Sequence, residues 1–367
     1  MLEVADIFRR YGDAYLERYG EKMLPSHHRA FQDILNCRTS AMGGHLFACD
    51  HCAHPVYSYH SCRNRSCPKC HGDDTEDWLK NRRKELLPVD YFHVVFTLPE
   101  ELREQIRRHQ KIGYGIMMKA AAKSLIKLAA DPHYVGGLIG VLAILHTWTR
   151  TLIYHPHVHC LVPAGGVSKD QEWLPTRKNY LVPVKALSRI FRGMVKEMVA
   201  KELPDLIIPE IAWNKEWVVY CKPAIQGADK VLDYLGRYVH RIAIANSRIL
   251  SIDDGTVTFR YQNCGDSQWK TMTLPANEFI RRFLQHVLPR GTHKVRYYGL
   301  WNPSNRRRLR QVQIVLARNT PVQPHEIDTL DKEVSPQPVG KAKTCPHCGE
   351  GTLILIGRIP RQGRAPP

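Results

Sequence analysis

The sequence predicts an α+β chain, an antiparallel sheet flanked by helices and preceded by a small helical, metal-binding module. Three observations predict it. Short β-rich runs are interleaved with long helical stretches. Two of those runs lie close enough to pair as a hairpin. Six cysteines (Cys37, Cys49, Cys52, Cys62, Cys67 and Cys70) fall within 34 residues near the amino end.

The elements follow in order. Ile7, Tyr11, Tyr15 and Leu16 recur at helical spacing, so residues 2–35 read as two helices. Residues 43–72 are loop-like and short of core residues. Residues 73–87 open acidic and end basic, which suits a helix dipole, and Pro88 stops them. Residues 91–98 (YFHVVFTL) are a strand closed by Pro99, and a helical stretch runs from about 100 to 130. Residues 138–149 and 157–163 are two further strands, paired as an antiparallel hairpin. Residues 185–202 are helical, 215–221 extended, and 228–242 helical by pattern. A β-rich section follows from 256, then a basic helix, NEFIRRFLQHVLP. Residues 319–342 are Pro-rich and polar, a linker before Cys345-Pro-His-Cys348 and a basic tail. No internal repeat is visible.

At 367 residues the chain holds two or three domains with a real core. The formal net charge of +18 attracts polyanions, nucleic acid first, an anionic membrane surface second. A basic, ribosome-associated protein is the third class. Binding to nucleic acid should weaken steeply with salt. The opening MLEVADIFRRYGDAYLERYG lacks an apolar core segment, so no signal peptide is expected. The longest apolar stretch, residues 136–145, is about half of a bilayer span. The expectation is a cytoplasmic, nucleoid-associated bacterial protein without a membrane partner, where clustered cysteines mean metal and not disulfides.

Cys49-x2-Cys52 and Cys67-x2-Cys70 are separated by fourteen residues. Two such knuckles offer four thiolates to tetrahedral Zn²⁺. Cys62 or His45 can replace one of the four or help form a second site, while Cys37 reads as a core thiol. Arg63, Arg65 and Lys69 lie among the knuckles and are expected to face DNA. Cys345 and Cys348 are half a site, open to His347, to a remote partner, or to no metal.

His155, His157 and His159 alternate on an extended segment, which puts them on one face at spacings of about 6.6 Å. The neighbouring strand carries His146. Such an edge suits Mg²⁺ or Mn²⁺ at a scissile phosphate, or zinc in a hydrolase. Tyr234 and Tyr238 stand one helical turn apart among Arg237, His240 and Arg241. From spacing alone an aromatic core stripe is the commoner outcome, but the cations around the pair favour phosphate. A phenol with a pKa of about 10 needs a metal or base to attack phosphorus.

LHTW at 145–148, HPHVH at 155–159 and VPAGG at 162–166 resemble the central motif of rolling-circle transposases of the insertion sequence ninety-one type. FTLP at 96–99 is similar to the first motif of His-hydrophobe-His (HUH) replication initiators. Residues 234–248, 257–261, 272–291 and 294–300 resemble that transposase family's nucleophile helix and downstream region, and the cysteine cluster its zinc domain. The resemblance covers roughly residues 5–350. It implies an HUH-endonuclease core in which His157 and His159, with His146 as the best-placed third ligand and His155 second, hold the catalytic Mg²⁺ or Mn²⁺. Tyr234 or Tyr238 would attack single-stranded DNA at the element's ends and leave a 5′-phosphotyrosine and a free 3′-OH. It divides the chain into a helical and zinc-binding part (1–87), a catalytic domain (88–255), its β-rich extension with a basic helix (256–318), and the linker and tail (319–367). Two rivals share some of these features. One is a plasmid relaxase or replication initiator of the same chemistry. The other is a non-catalytic zinc protein that binds DNA.

Overall fold

The computed structural model describes residues 2–70, 79–225, 236, 242–263, 266–319 and 343–362. Helices α1 (Val4–Tyr19) and α2 (Pro25–Asn36) open the chain. A capping box joins Glu3 and Asp6 at the start of α1. Strands β1 (Gly44–Cys49) and β2 (Pro55–Tyr59) follow, inside the stretch expected to be loop. Of the helix expected over 73–87, the described part is helical only from Leu79 to Arg83.

Then come β3 (Tyr91–Thr97), α3 (Glu100–Arg108) and α4 (Gln110–Ala129). The single helix expected over 100–130 is broken at His109, whose backbone lies at φ −118° and ψ 43°. Glu100 and Glu101 open α3, and Arg107 and Arg108 close it, matching its dipole. The predicted hairpin is β4 (Gly140–Trp148) with β5 (Tyr154–Pro163). A small pair, β6 (Gly165–Val167) and β7 (Trp173–Pro175), precedes α5 (Val184–Glu202). Strand β8 is Val219–Ile225, four residues later than expected at its start, because Trp217 is drawn into the core, where its indole donates to the Ala212 carbonyl.

A meander of β9 (Ile249–Asp253), β10 (Thr256–Gln262) and β11 (Trp269–Pro275) leads into α6 (Ala276–Leu284). Strand β12 (Val295–Gly299), helix α7 (Arg306–Asn319) and strand β13 (Leu353–Ile359) complete the described chain.

The central sheet is five-stranded and antiparallel, in the order β12-β4-β5-β3-β8. Strand alternation gives it two faces. Val94, Phe96, Val141, Ala143, Leu145, Val158 and Cys160 point to one face and pack on α3, α4 and α5. That packing explains α4, which is apolar around most of its circumference. The opposite face carries Tyr91, Leu142, Ile144 and Leu161 at one end, packed on Leu309 and Val312 of α7 and on Trp301. Its other end is where the histidines stand.

A second core joins parts distant in sequence. Phe8 of α1 stacks on Phe31 of α2, with ring centroids 4.6 Å apart, and meets Phe283 of α6 edge-on. Ile252, Val257, Phe259 and Phe279 close the same cluster. The amino-terminal helices therefore pack on the β9–β11 meander. Residues 343–362, expected to be part of a linker and tail, return to the start: β13 pairs antiparallel with β1 from Gly44↔Ile359 to Cys49↔Leu353. No helix among the described residues is long and apolar enough to cross a membrane.

Candidate metal centre

The hairpin register sets the histidines side by side. His146 of β4 is directly opposite His157 of β5, and Ile144 is opposite His159. Val158 points the other way into the core and is fully buried, so the two odd-numbered histidines share a face. The ligand nitrogens of His146, His157 and His159 all lie within 4.8 Å of one another. Three imidazoles from two adjacent strands therefore converge on a space fit for one cation. His146 is buried, whereas His157 and His159 are half-exposed, so the centre opens to one side.

Hydrogen bonds set the rings. Nδ1–H of His157 donates to the His155 carbonyl at 2.7 Å. A carbonyl only accepts, so that tautomer is fixed and Nε2 is left as the ligand atom. Nδ1 of His159 is hydrogen-bonded at 2.8 Å to Nε2 of His93, and the two rings are stacked 5.0 Å apart. His93 belongs to β3, on the far side of β5, and sequence reading missed it. His93 alternates with Val95 and Thr97, which pair with His159 and His157, so the β3–β5 register is what brings it to this face. Burial, with His157 adding to it, pushes the His93 ring down to about 4, so it is neutral. His155, the second candidate third ligand, stays outside the group. Its ring centroid is 5.4 Å from that of His157, and burial followed by Arg103 pushes it down to about 4. Its contribution is its backbone carbonyl.

Trp148 stacks on His146 at 4.9 Å, and the Lys294 ammonium sits 5.0 Å over the Trp148 ring. This cation beside the centre was also missed in sequence, because Lys294 follows the basic helix by ten residues and reaches the hairpin only through β12. Tyr234, Tyr238, Arg237 and Arg241 lie outside the described residues. Gly236, midway between the tyrosines, is described as helical. A Cβ placed on it would come 3.2 Å from Leu79, which packs on the same sheet face as the histidines.

The cysteines require a correction. Cys49, Cys52, Cys67 and Cys70 do not form one site. Cys67 and Cys70 group with Cys37 and Cys62, and Cys49 and Cys52 group with Cys345 and Cys348. The reason is the sheet: β1 ends at Cys49, beside the returning β13, whereas Cys67 and Cys70 sit against the end of α2. In the first group the Cys37–Cys70 and Cys62–Cys70 sulfurs are 3.5 Å apart. Backbone N–H groups of Cys62 and Asn64 donate to Cys37 and Cys62. Cys37, read from sequence as a core thiol, is a member of this group. His45 belongs to neither group; its ring faces His60 at 5.0 Å.

The expected DNA contacts are placed as follows. Arg63 is exposed. Arg65 donates to the carbonyls of Leu288, Pro289 and Thr292, and Lys69 is paired with Glu3 at 2.7 Å. Both thus tie the cysteine loop to the rest of the chain.

Two family models match the chain. One is described as "Putative transposase" and covers residues 140–309; the other is described as "Transposase zinc-binding domain" and covers residues 7–98. The chain is 41% identical over 381 residues to "Putative transposase y4qJ" of Sinorhizobium fredii, spanning 96% of this chain and 94% of that protein. It is 28% identical over 286 residues to "Transposase for insertion sequence element IS801" of Pseudomonas savastanoi pv. phaseolicola, spanning 72% of this chain and 68% of that protein. No solved structure matches it.

Proposed function

This chain belongs to the IS91-type transposases with an amino-terminal zinc-binding domain, and on that premise we propose that it cuts and transfers single-stranded DNA through a tyrosine. The five-stranded sheet with its histidine face is read as the HUH core. The observation that carries the reading is the convergence of His146, His157 and His159 on an open end of that sheet.

Those three residues would hold the catalytic cation. Bound there, a divalent ion supplies charge to polarise a phosphoryl oxygen. The group contains no carboxylate among the described residues. Imidazole donors favour Mn²⁺ over the oxygen-preferring Mg²⁺. The other roles belong to the protein. His155, through its carbonyl, and His93 orient the two strand histidines. Lys294 draws a phosphate toward Trp148. The phenol oxygen of Tyr234 or Tyr238 attacks phosphorus in line, giving up its proton as the P–O3′ bond breaks. The products are a 5′-phosphotyrosine and a 3′-OH that carries a proton away. Because one phosphoester replaces another, bond energy is conserved and no nucleotide triphosphate is consumed. The second tyrosine permits a second attachment, which strand transfer needs. Gly236 beside Leu79, on the histidine side of the sheet, supports a tyrosine helix over that face.

The test uses end-labelled single-stranded oligonucleotides carrying the element's ends. A covalent protein–DNA band on a denaturing gel is expected with Mn²⁺, weaker with Mg²⁺, and none after chelation. The Tyr234→Phe/Tyr238→Phe variant should give none; a persisting adduct there would move the nucleophile elsewhere.

His93 offers a second check. Outer hydrogen-bond partners of metal-bound histidines are worth about 10–100-fold in affinity. His93→Ala should weaken Mn²⁺ binding by that range, read by paramagnetic resonance titration, with His93→Gln recovering part of it. Unchanged affinity in His93→Ala would remove this residue from the account.

A further inference from the structure

We infer that Cys49, Cys52, Cys345 and Cys348 form a second zinc site, one that clasps the carboxy-terminal strand onto the amino-terminal sheet. Half of this site lies far outside the matched zinc-binding domain, which ends at residue 98. The sulfurs of Cys49 and Cys348 are 3.7 Å apart, and those of Cys52 and Cys345 are 3.9 Å apart. Zinc–sulfur bonds of about 2.3 Å in a tetrahedron give sulfur–sulfur edges of about 3.8 Å. A disulfide would need about 2.05 Å.

Each half is shaped as a metal knuckle. N–H of His51 and of Cys52 point at the Cys49 sulfur, each at 3.4 Å. N–H of His347 points at Cys345 and N–H of Gly351 at Cys348, again at 3.4 Å. Such donors stabilise thiolate, the form that binds soft cations. The two halves are also tailored to each other. A Cβ on Gly351 would stand 2.3 Å from the Cys49 sulfur, so only glycine fits there. Thr352 N–H donates to the Asp50 carboxylate at 2.7 Å, and the His54 and His347 rings stack at 4.2 Å.

Strand β13 has little else to hold it. Ile354, Leu355 and Ile356 are 51%, 49% and 59% exposed, so the strand buries little apolar surface against β1. Backbone pairing of one edge strand is marginal without a hydrophobic face. A tetrathiolate ion supplies the missing fastening and joins Cys49 to Cys348 across nearly the whole chain.

Cobalt substitution of the full-length protein tests this, because thiolate-to-cobalt absorption reports sulfur ligands and ignores the histidine centre. The wild-type chain should take up two tetrathiolate Co²⁺ ions, and Cys345→Ser/Cys348→Ser only one, halving the absorption per chain. Gly351→Val, which leaves all the ligands in place, should also lose one ion. Cys348→His should keep two ions with a shifted spectrum. Unchanged absorption in Cys345→Ser/Cys348→Ser would overturn the proposal, as would one ion per wild-type chain. These readouts are independent of DNA cleavage.

Discussion

Cys67→Ser is expected to unfold the amino-terminal module. Cys67 is fully buried, within a sulfur group that also holds Cys37, Cys62 and Cys70. A structural zinc in a small domain contributes roughly 10–16 kcal/mol of apparent binding free energy, which for such modules is folding free energy. That exceeds the whole stability of an ordinary domain, roughly 5–15 kcal/mol, in much of its range. The damage should spread, because α1 and α2 share the Phe8–Phe31–Phe283 cluster with the β9–β11 meander. Thermal unfolding followed by circular dichroism should show loss of the cooperative transition, together with one metal ion. Cys160→Ser is the control. Cys160 is equally buried but lies on the helix-covered face of the central sheet, away from both sulfur groups. A hydroxyl buried there costs only about 1–3 kcal/mol, so a lowered but cooperative melt is expected. Equal behaviour of the two variants would make Cys67 an ordinary core thiol.

The second large effect concerns His157. His157→Ala removes one of three converging imidazoles, so cleavage of single-stranded DNA should fall by more than the roughly 100-fold that an outer partner can account for. His155→Ala, two residues away, should fall far less, because its carbonyl, the group that fixes the His157 tautomer, survives the substitution. Single-turnover rates at saturating Mn²⁺ separate the two. A ranking with His155→Ala as the worse variant would relocate the centre along β5.

Local pattern carried part of this structure, and long-range pairing carried the rest. The β4–β5 hairpin and the shared face of His146, His157 and His159 were legible, because alternation fixes the face and a short connection fixes the partner. His93 was not, since its place beside His159 depends on the register between β3 and β5, sixty residues apart in sequence. The cysteine grouping failed for the same reason. Sequence proximity joins the two nearest C-x-x-C pairs, whereas the sheet order β13-β1-β2 brings Cys345 and Cys348 to Cys49 and Cys52. Helix α7 was assigned no element from sequence: RRRLRQVQIVLARN is mostly charged and polar, and among its described residues only Leu309 and Val312 are buried. The contacts of Arg65 with backbone carbonyls and of Lys69 with Glu3 were equally out of reach of local pattern, since their partners lie far off in sequence. The expected linker lies, past Asn319, outside the described residues.

The most direct measurement maps the covalent bond itself. Wild-type protein is incubated with Mn²⁺ and a single-stranded element end, digested with protease and nuclease, and its peptides are weighed. A nucleotide mass on the peptide containing Tyr234 and Tyr238, attached through a 5′ phosphate, is the predicted result. Attachment to any other residue, or cleavage with no attached nucleotide at all, would contradict it.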